Sequence, residues 1–276
     1  MSDPLQALVS RAVEGDRSAL DDLVLRLQDR IYNLALRMLW HPQDAEDAAQ
    51  EILLKIVVNL GSFRGESAVA TWALRIAANH LVQARRSRVE AQELTFSSFG
   101  EDLARALDPP NAPADRPDQA LLEREVKIGC THAMLLCLDR EHRLAYILGE
   151  VFELPGEEAA AVIGVSAAAY RKRLSRARTR LREFMRAHCG LVSDAAACRC
   201  SRRITPAIAS GRVDPDRLLF VQRTSAADAV VAGTVEMDEL HRIASIYRAT
   251  PDYSAPARLA DAVRTLLESR QFRLLD

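Results

Sequence analysis

Hydrophobic positions in residues 3–88 recur at helical spacing almost without a break. Leu5, Leu8 and Val9 open a first helix, and Gly15 stops it. Asp16 stands where an N-cap would start a second helix, with Leu20, Leu23, Val24, Leu27, Ile31, Leu34 and Ala35 along one face. His41-Pro42 ends that helix. Asp44 is placed to cap the next one, with Asp47 three residues on. Behind them Ala45, Ala48, Ala49, Ile52, Leu53, Ile56, Val57 and Leu60 keep an i, i+3, i+4, i+7 rhythm. Gly61 and Gly65 bracket a short loop, and Ser67 to about Arg86 reads as another helix.

Residues 89–118 interrupt this rhythm. Pro109, Pro110, Pro113 and Pro117 fall among Glu90, Glu93, Glu101, Asp102, Asp108, Asp115 and Asp118, the composition of a flexible acidic linker. Helical periodicity returns over 119–187. Residues 188–276 carry two further amphipathic segments near 236–249 and 256–270, separated by Pro251 and Pro256. The expected fold class is all-α: helical domains at 1–88 and 119–187, the linker 89–118 between them, and a mostly helical C-terminal extension, 188–276. No internal repeat and no strand-rich stretch is visible.

The sharpest local signal lies at 156–186. Gly156 to Ile163 reads as a short helix with Ala159, Ala160 and Ile163 inward. Gly164-Val165-Ser166 makes a turn in which Gly supplies the unusual backbone angle and Ser caps a second helix. That second helix sets Tyr170, Leu174, Ala177, Leu181 and Phe184 on one stripe. Its other positions hold Arg171, Lys172, Arg173, Arg176, Arg178, Arg180, Arg182 and Arg186 against one acid, Glu183. This is a helix-turn-helix suited to a major groove, with N-terminal residues at base edges and arginines on phosphates. The alternative is a solvated basic face on an ordinary helix.

Net charge adds nothing to this, since Lys+Arg (37) and Asp+Glu (38) nearly cancel; only the distribution is informative. The N-terminus has no leader-like basic and apolar pattern, and no apolar run approaches the ~18 residues of a membrane span. The chain is therefore expected in the cytoplasm. Five cysteines, an odd number, argue there against a disulfide framework. No phosphate-binding loop, nucleophile elbow or paired metal-binding His motif occurs, so an enzyme is not expected.

Two groups of residues together resemble a known family. Asp44-Ala45-Glu46-Asp47-Ala48-Ala49-Gln50-Glu51 is similar to the acidic signature of sigma-70-type factors. Phe63-Arg64-Gly65, then Thr71-Trp72, Arg75-Ile76-Ala77, Asn79 and Arg85-Arg86, resembles their promoter-melting segment. Ser166 to Arg178 resembles their second recognition helix, and the two-domain layout resembles the extracytoplasmic-function class. The sequence departs from the family at Val69, Leu74 and Gln83, where Phe, Tyr and Asp are usual, and at Tyr170, where Val is usual.

The resemblance implies a promoter-specificity factor that binds core RNA polymerase and promoter DNA. Asp44, Asp47, Gln50 and Glu51 would dock on polymerase; their other reading is a plain soluble helix face. Phe63, Arg64, Arg75, Asn79, Arg85 and Arg86 would hold the melted strand, with Trp72 and Ile76 in the core. Ala168, Arg171, Arg173, Arg176 and Arg178 would face duplex DNA. The linker would thread toward the RNA exit path or simply tether the domains. A polymerase-independent helix-turn-helix regulator is the alternative function.

The extension opens with His188-Cys189, Cys198 and Cys200. One His and three thiolates are suitable donors for tetrahedral zinc, although no cofactor is required by the rest of the reading and the spacing is not that of a zinc finger. Arg199, Arg202 and Arg203 nearby would lower the thiol pKa values, which suits metal binding or redox sensing. Absence of any special chemistry is the third reading. Cys130 and Cys137 fall in an apolar stretch and are expected in the core. The extension is expected to dock on the preceding domains and regulate them, in place of or alongside a separate anti-sigma partner.

Overall fold

The computed structural model describes residues 4–84, 90, 94–105, 107–109, 117–221 and 239–268. Among them are twelve α-helices: α1 (Pro4–Val13), α2 (Arg17–Leu39), α3 (Pro42–Val58), α4 (Val69–Gln83), α5 (Phe96–Arg105), α6 (Gln119–Leu136), α7 (Arg140–Tyr146), α8 (Gly156–Ile163), α9 (Ala167–His188), α10 (Ile204–Ala209), α11 (Glu239–Arg248) and α12 (Arg258–Glu268). They fall into two units. The first takes Met1–Ser87, Pro155–Tyr170 and Tyr253–Asp276; the second takes Arg88–Leu154 and Arg171–Asp252. No helix of the described residues is long and apolar enough to cross a membrane.

In the first unit α2 is the central helix, packed by α1, α3, α4 and α12. Asp16 caps it as the sequence predicts, accepting the Ala19 N–H at 3.1 Å. Every residue from Ile31 to Leu39 is buried, so this end of α2 meets protein on all sides rather than along one stripe. Two of the nine are polar. Asn33 and Arg37, one turn apart, hydrogen-bond at 2.8 Å. Trp40, with φ of 70°, stops α2. Pro42 then opens α3 with His41, not Asp44, as N-cap, accepting the Gln43 N–H at 3.2 Å on Nδ1. Asp44 sits in the first turn, where its charge still meets the positive end of the helix dipole.

In the second unit α6 is the anchor. Arg143 of α7 is buried and donates to the carbonyls of Leu135 (3.0 Å), Leu136 (3.2 Å) and Leu138 (2.9 Å). These carbonyls lie at and just beyond the C-terminal end of α6, where helical hydrogen bonding runs out. Glu90 neutralises Arg143 at 2.7 Å and Arg140 at 2.6 Å. Glu125, also buried, accepts the backbone N–H groups of Leu219 (2.7 Å), Phe220 (3.1 Å) and Val221 (2.9 Å). It thereby fastens the extension to α6. Leu122, Val126, Ile204, Ala207 and Val213 close the apolar side of the same contact.

One expectation is corrected here. The stretch 89–118 is not wholly a flexible linker, because α5 forms inside it. Phe99 and Leu103 of α5 are buried, and the Phe99 ring stacks on Phe184 of α9, centroids 5.6 Å apart. Phe96, Phe99 and Leu103 lie at helical spacing, but the surrounding acids and prolines hide the short pattern.

Glu125→Ala is expected to destabilise the second unit by about 2–3 kcal/mol in urea unfolding, because three backbone N–H groups, that of Phe220 buried and the other two part-buried, lose this carboxylate as acceptor. A change below ~0.5 kcal/mol, the range of ordinary surface substitutions, would contradict this.

Candidate functional site

The helix-turn-helix is built as its sequence predicts. Gly164 takes the left-handed conformation at φ 70°, and Ser166 Oγ accepts the Ala169 N–H at 3.2 Å. Tyr170 is fully buried and packs at the start of α8, its ring 3.9 Å from where a side chain on Gly156 would begin. This removes Tyr170 from any DNA-facing role.

The residues expected to face duplex DNA divide into two groups. Ala168, Arg171 and Arg176 are exposed, and the two arginines make no ion pair among the described residues. Arg173 is half-buried and pairs with Glu141 at 3.0 Å. Arg178 forks onto Glu150, with Nε–Oε1 2.7 Å. Both therefore serve the unit's own structure.

The segment expected to hold the melted strand lies on one side of the first unit. After a tight turn at Leu60–Ser62, Gly65 adopts φ 72° and the loop folds back toward α1. An open cleft of about 340 Å³ results, lined by Gln6, Val9, Leu60, Phe63 and Arg64 among others. The Phe63 ring sits 5.4 Å from Trp72, tilted 60°. Trp72 and Ile76 are only half-buried rather than core. Arg75 and Asn79 are exposed on α4, while Arg85 and Arg86 lie outside the described residues. Thr71, one turn before Arg75, donates to Glu158 of α8 at 2.6 Å.

The acidic stripe of α3 is less uniform than its sequence. Asp47 is exposed and accepts from Gln43 at 3.1 Å. Glu51 is exposed, 3.8 Å from His80 Nε2. Burial, and then Lys55 at 2.7 Å from Nδ1, hold the His80 pKa below its usual value, so Glu51 faces a neutral ring. Gln50 is half-buried. Asp44 is too, and its Oδ2 is buried with no hydrogen bond among the described residues. Glu46, to which sequence reasoning assigns no role, is buried and paired to Arg258 at 2.6 Å.

In the second unit Cys189, Cys198 and Cys200 line a cavity of about 190 Å³ with His188 and with Cys130 of α6. Cys189 and Cys198 form a backbone bridge, and the His188 ring lies on Phe184, centroids 4.8 Å apart. Among the described residues no three such donors are arranged to hold a metal ion, so the donor set does not fit zinc as it stands. The expectation of lowered thiol pKa values is also corrected. Burial dominates and raises them at Cys130, Cys189 and Cys198, and pushes Cys200 up to about 12. Arg199 points instead at the carbonyls of Cys198 (2.9 Å) and Asp194 (3.1 Å), and Arg203 at Asp102 (2.8 Å).

A thiol raised on folding stays protonated, without cost, below its unfolded value; stability is lost as pH climbs through the folded value. Melting of the second unit should therefore fall between pH 9.0 and about 12, less steeply in Cys200→Ser. Identical pH profiles for the two proteins would contradict this.

Comparison with known proteins matches two blocks of the chain. The family model for Sigma-70 region 2 matches residues 23–90, and that for Sigma-70, region 4 matches 128–181. The RNA polymerase sigma-H factor of Pseudomonas aeruginosa is 37% identical over 181 residues, which is 63% of this chain and 89% of that protein. The ECF RNA polymerase sigma-E factor of Escherichia coli K12 is 34% identical over 181 residues, 63% of this chain and 90% of that protein. A solved structure, CnrH in complex with the cytosolic domain of CnrY, aligns with 65% of this chain and 96% of that chain at TM-score 0.43 and 22% identity. Helices α10, α11 and α12 lie beyond both family models.

Proposed function

We infer a division of labour from one premise: the chain belongs to the sigma-70 family of RNA polymerase sigma factors, in its extracytoplasmic-function class. As a sigma factor it directs transcription initiation at a specific promoter class. In our reading the first unit docks on core RNA polymerase through α3, with Asp47 and Glu51 as the accessible acids. The cleft at Phe63 and Arg64 takes an unstacked base of the opened strand, and Arg75 and Asn79 guide the neighbouring backbone. Helix α9 reads duplex DNA through Ala168, Arg171 and Arg176, while Arg173 and Arg178 are held by Glu141 and Glu150. The protein contributes no catalytic group; polymerisation belongs to core polymerase, and the setting is the cytoplasm.

The observation that carries this reading is that both family blocks occur in order and each has exposed cations: Arg64 and Arg75 in one, Arg171 and Arg176 in the other. An independent helix-turn-helix regulator would need no block matching Sigma-70 region 2. Run-off transcription with core polymerase on a promoter library tests the assignment. Promoter-specific transcripts that require the added chain are expected; binding of DNA without any association with core polymerase would contradict it.

Arg171→Ala should weaken promoter selection by about 1–3 kcal/mol and relax it at one base position, whereas Arg178→Ala should chiefly lower stability. Equal transcription by wild type and Arg171→Ala on the cognate promoter would count against the α9 assignment.

A further inference from the structure

We propose that residues 253–268 are a built-in occupant of the α2–α3 face, and that this face is an interaction surface for an extended strand followed by an arginine-bearing helix. The proposal rests on the reading of α3 as the polymerase-docking helix. It adds that the chain's own tail and core polymerase compete for the same part of the molecule.

The contacts have the character of a built site. Asn33 is buried, and its amide has two donors and two acceptor positions to fill. The donors go to the carbonyls of Asp29 (2.8 Å) and Tyr253 (2.7 Å). The acceptor oxygen takes Arg37 (2.8 Å) and the Tyr253 N–H (2.9 Å). Half of this valence therefore comes from the main chain of Tyr253, in the paired donor-and-acceptor pattern by which a strand is captured. Two residues on, the Ala255 N–H reaches Asp29 at 2.8 Å. Pro251 and Pro256 flank this stretch, and a residue before proline is biased toward extended backbone.

The helix after this strand is matched in apolarity and in charge. Leu259, Ala260 and Val263 of α12 are buried. Arg258 forks onto Glu46 of α3, and Arg264 meets Asp21 of α2 at 3.2 Å. Glu46 lies in the same acidic signature as Asp44 and Asp47, and the charge of Asp47 also attracts Arg258, so the tail sits beside the acids assigned to polymerase. The family models do not reach this segment, the second of them stopping at residue 181.

A closed population lowers apparent affinity by the fraction of open molecules, so a tail bound ~90–99% of the time lowers polymerase affinity ~10–100-fold. The test is the Kd of the full chain for core polymerase, compared with a chain ending at Asp252 and with a full-length Arg258→Glu/Arg264→Glu variant. Both altered proteins are expected to bind at least ~10-fold more tightly, and a peptide of residues 251–268 added in trans should reverse the gain of the shortened chain. Restoring the pair by Arg264→Asp with Asp21→Arg should return affinity toward the wild-type value. Equal or weaker binding by the full-length charge-reversal variant, with its helical circular dichroism intact, would overturn the proposal. If none of the proteins binds core polymerase, the sigma reading itself fails and the competition falls with it; tight but equal binding by all overturns the tail proposal alone.

Discussion

A buried polar group must find partners, and in this protein the C-terminal extension supplies them. Asn33 in the first unit completes its hydrogen bonds on the backbone of Tyr253. Glu125 in the second unit holds the backbone N–H groups of Leu219, Phe220 and Val221. Removing the extension would leave both groups buried with unmet hydrogen bonds, at a cost of about 1–3 kcal/mol for each such group. Apolar burial at Leu259 and Val263 in the first unit, and at Ile204 and Val213 in the second, strengthens the same attachments. The extension is therefore part of each unit's architecture.

Such attachment constrains function. The helices that would meet polymerase and the melted strand are also those that carry intramolecular partners: Glu46 with Arg258, Thr71 with Glu158. Arg64, Arg75, Arg171 and Arg176 remain exposed. The contacts on α2 and α3 join main-chain capture to ion pairs in which the arginine partners keep much of their surface in solvent, Arg258 at 65% and Arg264 at 42%. Exposed ion pairs are individually weak, so the helix can leave, and the Asn33 pairing and the two ion pairs together set how often it does.

Much of the fold was legible in sequence. The long periodic runs of α2 and α3, the Gly-Val-Ser turn and the extents of α8 and α9 follow from spacing and caps. The features that escaped did so for physical reasons. Helix α5 carries Phe96, Phe99 and Leu103 in an acidic, proline-rich stretch, and the partners that bury it lie far along the chain, Phe184 being 85 positions from Phe99. Asn33 and Arg37 sit one turn apart inside an apolar run, a readable sign of a buried polar network, but their partner Tyr253 lies 220 residues from Asn33. Arg173 and Arg178 have the same sequence character as Arg171 and Arg176, and only Glu141 and Glu150 distinguish them. The cysteine cluster misled most. Nearby arginines suggested lowered thiol pKa values, yet those guanidinium groups bind carbonyls and Asp102, leaving burial to govern the thiols.

The central claim is that the chain's tail and core polymerase exclude one another at the α2–α3 face. Amide hydrogen exchange, measured by mass spectrometry on the full chain with and without core polymerase, reads this directly through the amides of Tyr253 and Ala255, which are bonded to Asn33 and Asp29. The account predicts that peptides covering 253–268 lose protection when polymerase binds while those of α3 gain it. Continued protection of 253–268 in a saturated complex would contradict it.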